Sequence, residues 1–182
     1  MKKILLVFSF FLLGGCSLNS NIVRDSKSNE YAIKNIKGNY WITENLRAES
    51  FINNKAIDYY SYQEDSDITT YGYLYSYNAL KSESVIINNY RFPTLNEFID
   101  LIESYETVDD FIIEFNVLPG GMYDYTLIEQ WVGSVACFLT ITNGLPKVVY
   151  INIDTNTYKI GNFHGDDAVS IRLIKETSEK AL

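Results

Sequence analysis

Tyrosine is the residue type whose number and spacing in this chain could do chemistry. Four of its 15 tyrosines fall at every second position of Tyr71-Gly72-Tyr73-Leu74-Tyr75-Ser76-Tyr77, so a strand there would set all four rings on one face. Such a row can be a stacking platform for sugar rings, because a phenol has an apolar body and a polar tip. It can equally be a mixed core and rim, the reading preferred here. The Asn78-Ala79-Leu80-Lys81 that follows would scatter the rings if the chain turned into a helix. Tyr59, Tyr60 and Tyr62 stand in an acidic stretch just ahead of the row, and Tyr123, Tyr125 and His164 stand in the loops of the second half. With Tyr73, these six are the candidate ligand contacts.

Other chemistries find too few residues. His164 is the only histidine, set in Asn162-Phe163-His164-Gly165-Asp166-Asp167. A histidine beside two carboxylates can ligate a metal, but one His without a usable Cys is too small a donor set for a dedicated transition-metal site. No metal and no cofactor is expected. Glu64, Asp65 and Asp67 could offer oxygens to calcium, yet they lack the spacing and turn glycine of a calcium loop and read as a solvated acidic face. Gly120-Gly121 is not followed by a lysine-bearing helix start, so it is no phosphate loop. No serine sits in a nucleophile elbow, and one histidine leaves no conventional triad. No catalytic residue is assigned, and the chain reads as a non-enzyme. Cys137 lies in the apolar run Val135-Ala136-Cys137-Phe138-Leu139, the setting of a buried, inert thiol.

The N-terminus reads as an address. Met1-Lys2-Lys3 is a basic start, Ile4–Leu13 an apolar run too short to span a bilayer, and Leu13-Gly14-Gly15-Cys16 resembles the lipobox of bacterial lipoproteins. Cys16 is then the lipidated residue and residues 1–15 the signal peptide. Two or three acyl chains, at about 0.8 kcal/mol per buried methylene, would hold the protein permanently on a membrane. Ser17 after the lipidated residue, by analogy with enteric bacteria, favours the outer membrane of the cell envelope. With Cys16 acylated, Cys137 has no partner for a disulfide within the chain. The net charge of −8 becomes more negative by two when Lys2 and Lys3 leave. That argues against a nucleic-acid partner, whose phosphates need Lys and Arg. It also argues against an electrostatic patch for anionic lipid.

The elements that would position these groups follow from local signals. Residues 16–30, Ser/Asn-rich, read as a lipidated flexible tether, residues 31–176 as one domain and 177–182 as a tail. Tyr31–Ile36 and Tyr40–Ile42 read as strands around a Lys37-Gly38-Asn39 turn, with Trp41 in the core. Ala48–Thr70 reads as a long surface loop. The segment everything packs around is Tyr90–Tyr105. Pro93 ends the extended arm Tyr90-Arg91-Phe92, and Thr94 with Glu97 forms a capping box. Leu95, Phe98, Ile99 and Ile102 then recur on one helix face. Thr107–Phe115 can form a second helix, and Leu118-Pro119-Gly120-Gly121 a sharp loop with positive φ. Glu129–Thr142 reads as one strand closed by an Asn143-Gly144 turn, followed by strands over Lys147–Asp154, Thr157–Ile160 and, alternating, Ala168–Lys175. The class is α+β, small antiparallel sheets with one or two helices.

Six stretches, in order, resemble the Fibrobacter succinogenes major paralogous domain family. They are Gly38–Leu46 with Trp41, Tyr71–Tyr75 with Tyr71 and Gly72, Tyr90–Thr94 with Arg91 and Pro93 followed by Glu97 and Phe98, Leu118–Gly121, Trp131–Ser134, and Val169–Leu173 with Arg172. Where that family carries Trp at the Tyr90 and Phe98 positions, this chain does not. The family is similar to the C-type lectin-like fold shared with formylglycine-generating enzymes and some phage receptor-binding proteins. The resemblance implies that the chain ends pair as strands, that the Thr94 helix packs on the sheet, and that second-half loops form an exposed face. It gives structural roles to Trp41, Tyr71, Gly72, Arg91, Pro93, Thr94, Glu97, Pro119, Gly120, Gly121, Trp131 and Arg172. It implies no single activity. The calcium tripeptides of the lectins are absent, and the formylglycine-generating branch needs a cysteine pair. The expectation is a membrane-anchored binding or adhesion module for a glycan or protein ligand. A structural subunit of a fimbria-like assembly is the alternative, and an enzyme of the formylglycine-generating type is third.

Overall fold

The computed structural model describes residues 21–62, 65–81, 85–126 and 128–177, with residues 65–67 described by their backbone only. Cys16, the leader, Glu64 and residues 178–182 of the tail lie outside the described residues. The chain opens with a meander of β1 (Ile22–Arg24), β2 (Glu30–Ile36) and β3 (Asn39–Ile42). Then come α1 (Asp65–Tyr71), β4 (Tyr75–Ser76) and α2 (Tyr77–Leu80), followed by α3 (Leu95–Ile102) and α4 (Val108–Glu114). The second half is stranded: β5 (Met122–Tyr123), β6 (Glu129–Gln130), β7 (Val135–Thr142), β8 (Leu145–Asn152), β9 (Thr157–Asn162), β10 (Ala168–Val169) and β11 (Ile174–Glu176). The sheets run β1-β2-β3-β11, β4-β10-β5-β6 and β7-β8-β9, with antiparallel pairing between neighbouring strands. This is an α+β protein of several small antiparallel sheets and few short helices, with four helical segments among the described residues rather than one or two.

Local chemistry explains the elements that formed where expected. Thr94 Oγ1 accepts from the Glu97 N–H at 3.3 Å, and the Glu97 carboxylate accepts from the Thr94 N–H at 2.8 Å, which satisfies two donors at the start of α3 reciprocally. Thr107 and Asp110 repeat the device at α4. Lys37 and Gly38 at φ 49° and 81°, and Asn143 and Gly144 at 52° and 76°, make the left-handed two-residue turns that match strand twist. The buried face of α3 is rotated from the expected one. Phe98, Leu101 and Ile102 are buried, while Ile99 and Leu95 are only half-buried, because α3 lies against β7 through Phe98 on Phe138 and Leu101 is the inward neighbour one turn on. Trp41 is held edge-to-face between Phe98 and Phe115, 5.9 Å from each.

Four expectations are corrected. The folded domain already includes Ile22–Arg24, ahead of Tyr31, since β1 pairs with β2 and the buried Asp25 binds the chain back: its carboxylate accepts from the N–H groups of Lys27 and Asn29 and from the Tyr31 hydroxyl. Residues 48–70 are not all surface loop, for Ala48, Phe51, Ile57 and Tyr62 are buried and α1 begins at Asp65. The span 129–142 is two strands, broken where Trp131 and Gly133 take φ of 57° and 86°. Residues 168–175 do not alternate. Every residue from Ala168 to Ile174 is buried, since the run is used on both sides. Val169 pairs with Tyr75 and Met122, Ser170 bridges Phe138, the Ile171 and Leu173 carbonyls accept from Leu46 and Ile42, and Ile174 pairs with Trp41.

Arg172 falls in the middle of that run. Its guanidinium donates to Asn45 Oδ1 at 2.7 Å, to the Phe115 carbonyl and to the Asn116 carbonyl at 2.8 Å. It also lies over the rings of Phe115 and Phe138. Burial pushes it down to about 9, still charged at neutral pH. Arg91 closes the same side of the fold. Its backbone exchanges hydrogen bonds with Ile174, and its side chain forks onto Glu97 at 2.7 and 2.9 Å while reaching Glu176.

Candidate functional site

The structure does not gather the seven candidate contacts into one patch. Gly72 at φ 74° ends α1, since a Cβ there would sit 2.5 Å from the Leu46 carbonyl. Ser76 then caps α2 by accepting from the Ala79 N–H. With a helix end on one side and a helix start on the other, the four-tyrosine row is broken. Tyr75 goes into the core, with its hydroxyl on the Ala48 carbonyl, and Tyr71 tilts against Tyr62. Tyr77 reaches the Gly144 carbonyl.

Three groups of candidates remain. Tyr59 and Tyr73 stack at 3.9 Å, 19° from parallel, and the Tyr73 hydroxyl donates to Glu49. Burial and the Tyr59 hydroxyl push Tyr73 up to about 12, so it remains a neutral donor. The Tyr60 backbone bridges Leu74, and its ring packs with Tyr123, 5.6 Å away. Tyr123 donates to the Ser61 carbonyl and to Glu129. Tyr125, 65% exposed, lies over His164 at 5.5 Å. Tyr62 is corrected: it is buried, and its hydroxyl donates to the Gly120 carbonyl at 2.9 Å, so it latches a loop instead of meeting a ligand. Among the described residues no three His, Cys, Asp or Glu side chains come together to hold a metal. Cys137 is fully buried, and burial pushes its thiol up.

A surface that tyrosine spacing did not point to lies at Trp131. Of the eight non-glycine residues with positive φ among those described, five are asparagine, the residue that tolerates this region. Trp131 is the bulky exception, at a cost of about 1–2 kcal/mol, and its ring is 52% exposed. Although it counted as structural by resemblance, its backbone is what serves the fold. The Trp131 carbonyl accepts from the N–H groups of Ser134 and Val135. The Pro119-Gly120-Gly121 loop holds this turn in place. Gly133 donates to the Pro119 carbonyl and Gly121 to the Val135 carbonyl, each at 2.8 Å. A Cβ on Gly121 would meet the Gln130 carbonyl at 2.2 Å, and one on Gly120 would meet the Tyr62 hydroxyl at 2.6 Å. The only sequence signal for this site is two glycine motifs that need close approach; no residue type announces a left-handed tryptophan. The exposed indole stands edge-to-face to Tyr150. No family model, no curated protein and no solved structure matches this chain in the three comparisons made.

Proposed function

We propose that this chain is a membrane-anchored binding or adhesion module of the cell envelope, one that presents aromatic loops to a glycan or protein ligand. The carrying observation is that two aromatic pairs, Tyr59 on the half-buried Tyr73 and Tyr125 on His164, reach the surface outside the strands, with Tyr73 just ahead of β4 and Tyr125 just after β5. Stacked, partly exposed phenols offer large contact area at low entropy cost. The C-type lectin-like scaffold of the paralogous family is part of this reading. It is supported by the pairing of the C-terminal β11 with the N-terminal β3 and by the seat of α3 on β7. Against the formylglycine-generating alternative, which needs a working cysteine pair, stands the deeply buried Cys137 thiol. Its anchor would be acylated Cys16, with the outer membrane as its address.

The test is binding of the purified lipoprotein, in detergent, to a broad panel of glycans and envelope proteins. A ligand whose affinity falls in Tyr59→Ala or Tyr125→Ala, with unfolding unchanged, supports the reading. A panel with no ligand overturns it. The anchor is tested separately: labelled palmitate should enter the native chain and not Cys16→Ser.

A further inference from the structure

The groove beside Trp131 is set apart from the tyrosine pairs. It has a volume of about 550 Å³ and lies over the face of β7-β8-β9 that Tyr150, Asn152, Thr157 and Lys159 share by register. Two aromatic walls form it. The missing side chain of Gly161 seats the Tyr150 ring, since a Cβ there would lie 2.5 Å from Tyr150 Cε2. The Trp131 ring meets Tyr150 at 5.9 Å and 83°, close to a right angle. The rim is polar. Asn152 Oδ1 accepts from the N–H groups of Asp154 and Thr155, which fixes the carboxamide, and the Thr155 and Thr157 hydroxyls are 2.8 Å apart. Lys159 is the one charged side chain lining the groove, and it forms no ion pair among the described residues.

We propose that this groove binds the pyranose ring of an acidic glycan, its C–H face on the Trp131–Tyr150 corner and its carboxylate on the Lys159 ammonium. The inference rests on the binding-module reading and names a ligand class for one surface of it. A pyranose has apolar faces and a hydroxylated edge, which an aromatic corner with an amide and hydroxyl rim complements. An unpaired lysine in a chain of net charge −8 selects for a negative substituent by charge complementarity. The turn uses Trp131 through its backbone carbonyl, while the exposed indole adds nothing to the interior, and backbone strain of this kind collects at ligand sites.

Calorimetric titration of the lipoprotein in detergent tests this, with oligogalacturonate set against neutral galacto-oligosaccharides of equal length. The acidic oligomer should bind about tenfold tighter or more, and Trp131→Gly should weaken it by about tenfold or more. In Trp131→Gly the urea midpoint should hold or rise, because glycine takes φ 57° without strain. Lys159→Met should remove the preference for the acid. Equal binding of both sugars, or full affinity in Trp131→Gly, overturns the proposal. So does a dimer in gel filtration that Trp131→Gly dissociates, which would give the groove to a second copy. A glycan lost with Tyr125→Ala and untouched by Trp131→Gly would sink this groove while leaving the binding module standing. No ligand at all would sink both.

Discussion

Glu97→Gln isolates the charge that joins α3 to the last strand. Glutamine can still accept from the Thr94 N–H, so the cap survives and the anionic part of the interaction is removed alone. In the native chain the Arg91 guanidinium, which outweighs the opposing effect of burial, holds the Glu97 carboxyl down to about 2 from an ordinary 4.5, with help from the Thr94 N–H and hydroxyl. That gap corresponds to roughly 3 kcal/mol. The Arg91 side chain is 42% exposed, and solvent screening cuts the figure to about 1–2 kcal/mol. The folded state binds the Glu97 proton more weakly than the unfolded state. The stabilisation is therefore full above about pH 5 and drains away as pH falls from 4.5 towards 2. Urea unfolding, followed through the fluorescence of Trp41 in its cage of Phe98 and Phe115, should show the variant about 1–2 kcal/mol weaker at pH 7, with the two curves converging by pH 2. A gap that stays constant with pH, or no gap at pH 7, would refute the assignment of that energy to the Arg91–Glu97 fork.

Three further outcomes follow from named contacts. Arg172→Met keeps volume but leaves Asn45 Oδ1 and two carbonyls without their donor, and should cost about 3 kcal/mol in urea unfolding; Arg172→Lys should not restore it, because an ammonium cannot span all three acceptors. Gly121→Ala, driven 2.2 Å from the Gln130 carbonyl, should cost about 3 kcal/mol or prevent folding, whereas Gly144→Ala, with open space around it, should cost only about 1 kcal/mol. Tyr75→Phe, which orphans a buried latch to Ala48, should lose about 1 kcal/mol, while Tyr125→Phe should leave the urea midpoint where it was.

The parts of the fold legible in the sequence are those set by neighbours a few residues apart. Thr94 with Glu97 and the Lys37-Gly38 and Asn143-Gly144 turns each close within four residues, so residue type alone nearly determines them. The Thr107–Asp110 cap, which was not among the expected ones, is local in the same way. What was illegible depends on partners far along the chain. The span 168–175 carries enough polar residues to mimic a half-wet strand, and nothing nearby says that Asn45, Phe115 and Asn116 wait to satisfy Arg172. The tyrosine row has perfect period two, but Gly72 is pinned by the Leu46 carbonyl from 26 residues upstream, and that contact overrides the period. For the candidate site the same rule holds. Aromatic loops were visible as composition, while the pairing of Tyr59 with Tyr73 needed the Tyr60–Leu74 bridge, and the Trp131–Tyr150 corner needed a conformation that no residue type encodes.

The abundance of tyrosine has a structural logic that also singles out the free rings. Long connections join these small sheets, and the one described cysteine is buried and unpaired, so among the described residues no disulfide pins them. Phenol hydroxyls do so instead: Tyr62 ties down Gly120, Tyr75 Ala48, Tyr77 Gly144 and Tyr123 Ser61 through their carbonyls, and Tyr31 holds Asp25. Each latch spends the polar tip on the chain it crosses; those of Tyr62 and Tyr75 are buried, while those of Tyr77 and Tyr123 lie at the surface. Tyr125 makes no such bond among the described residues and is the most exposed of the candidate tyrosines. Trp131 is aimed outward by a backbone that costs energy to hold. Tyr59, Tyr125 and Trp131 are the exposed aromatics among the described residues, and none of them spends its side chain on a backbone carbonyl there. A protein that uses its aromatics as rivets has reason to lose the ones that rivet nothing, so these three are where the proposed ligand should be sought.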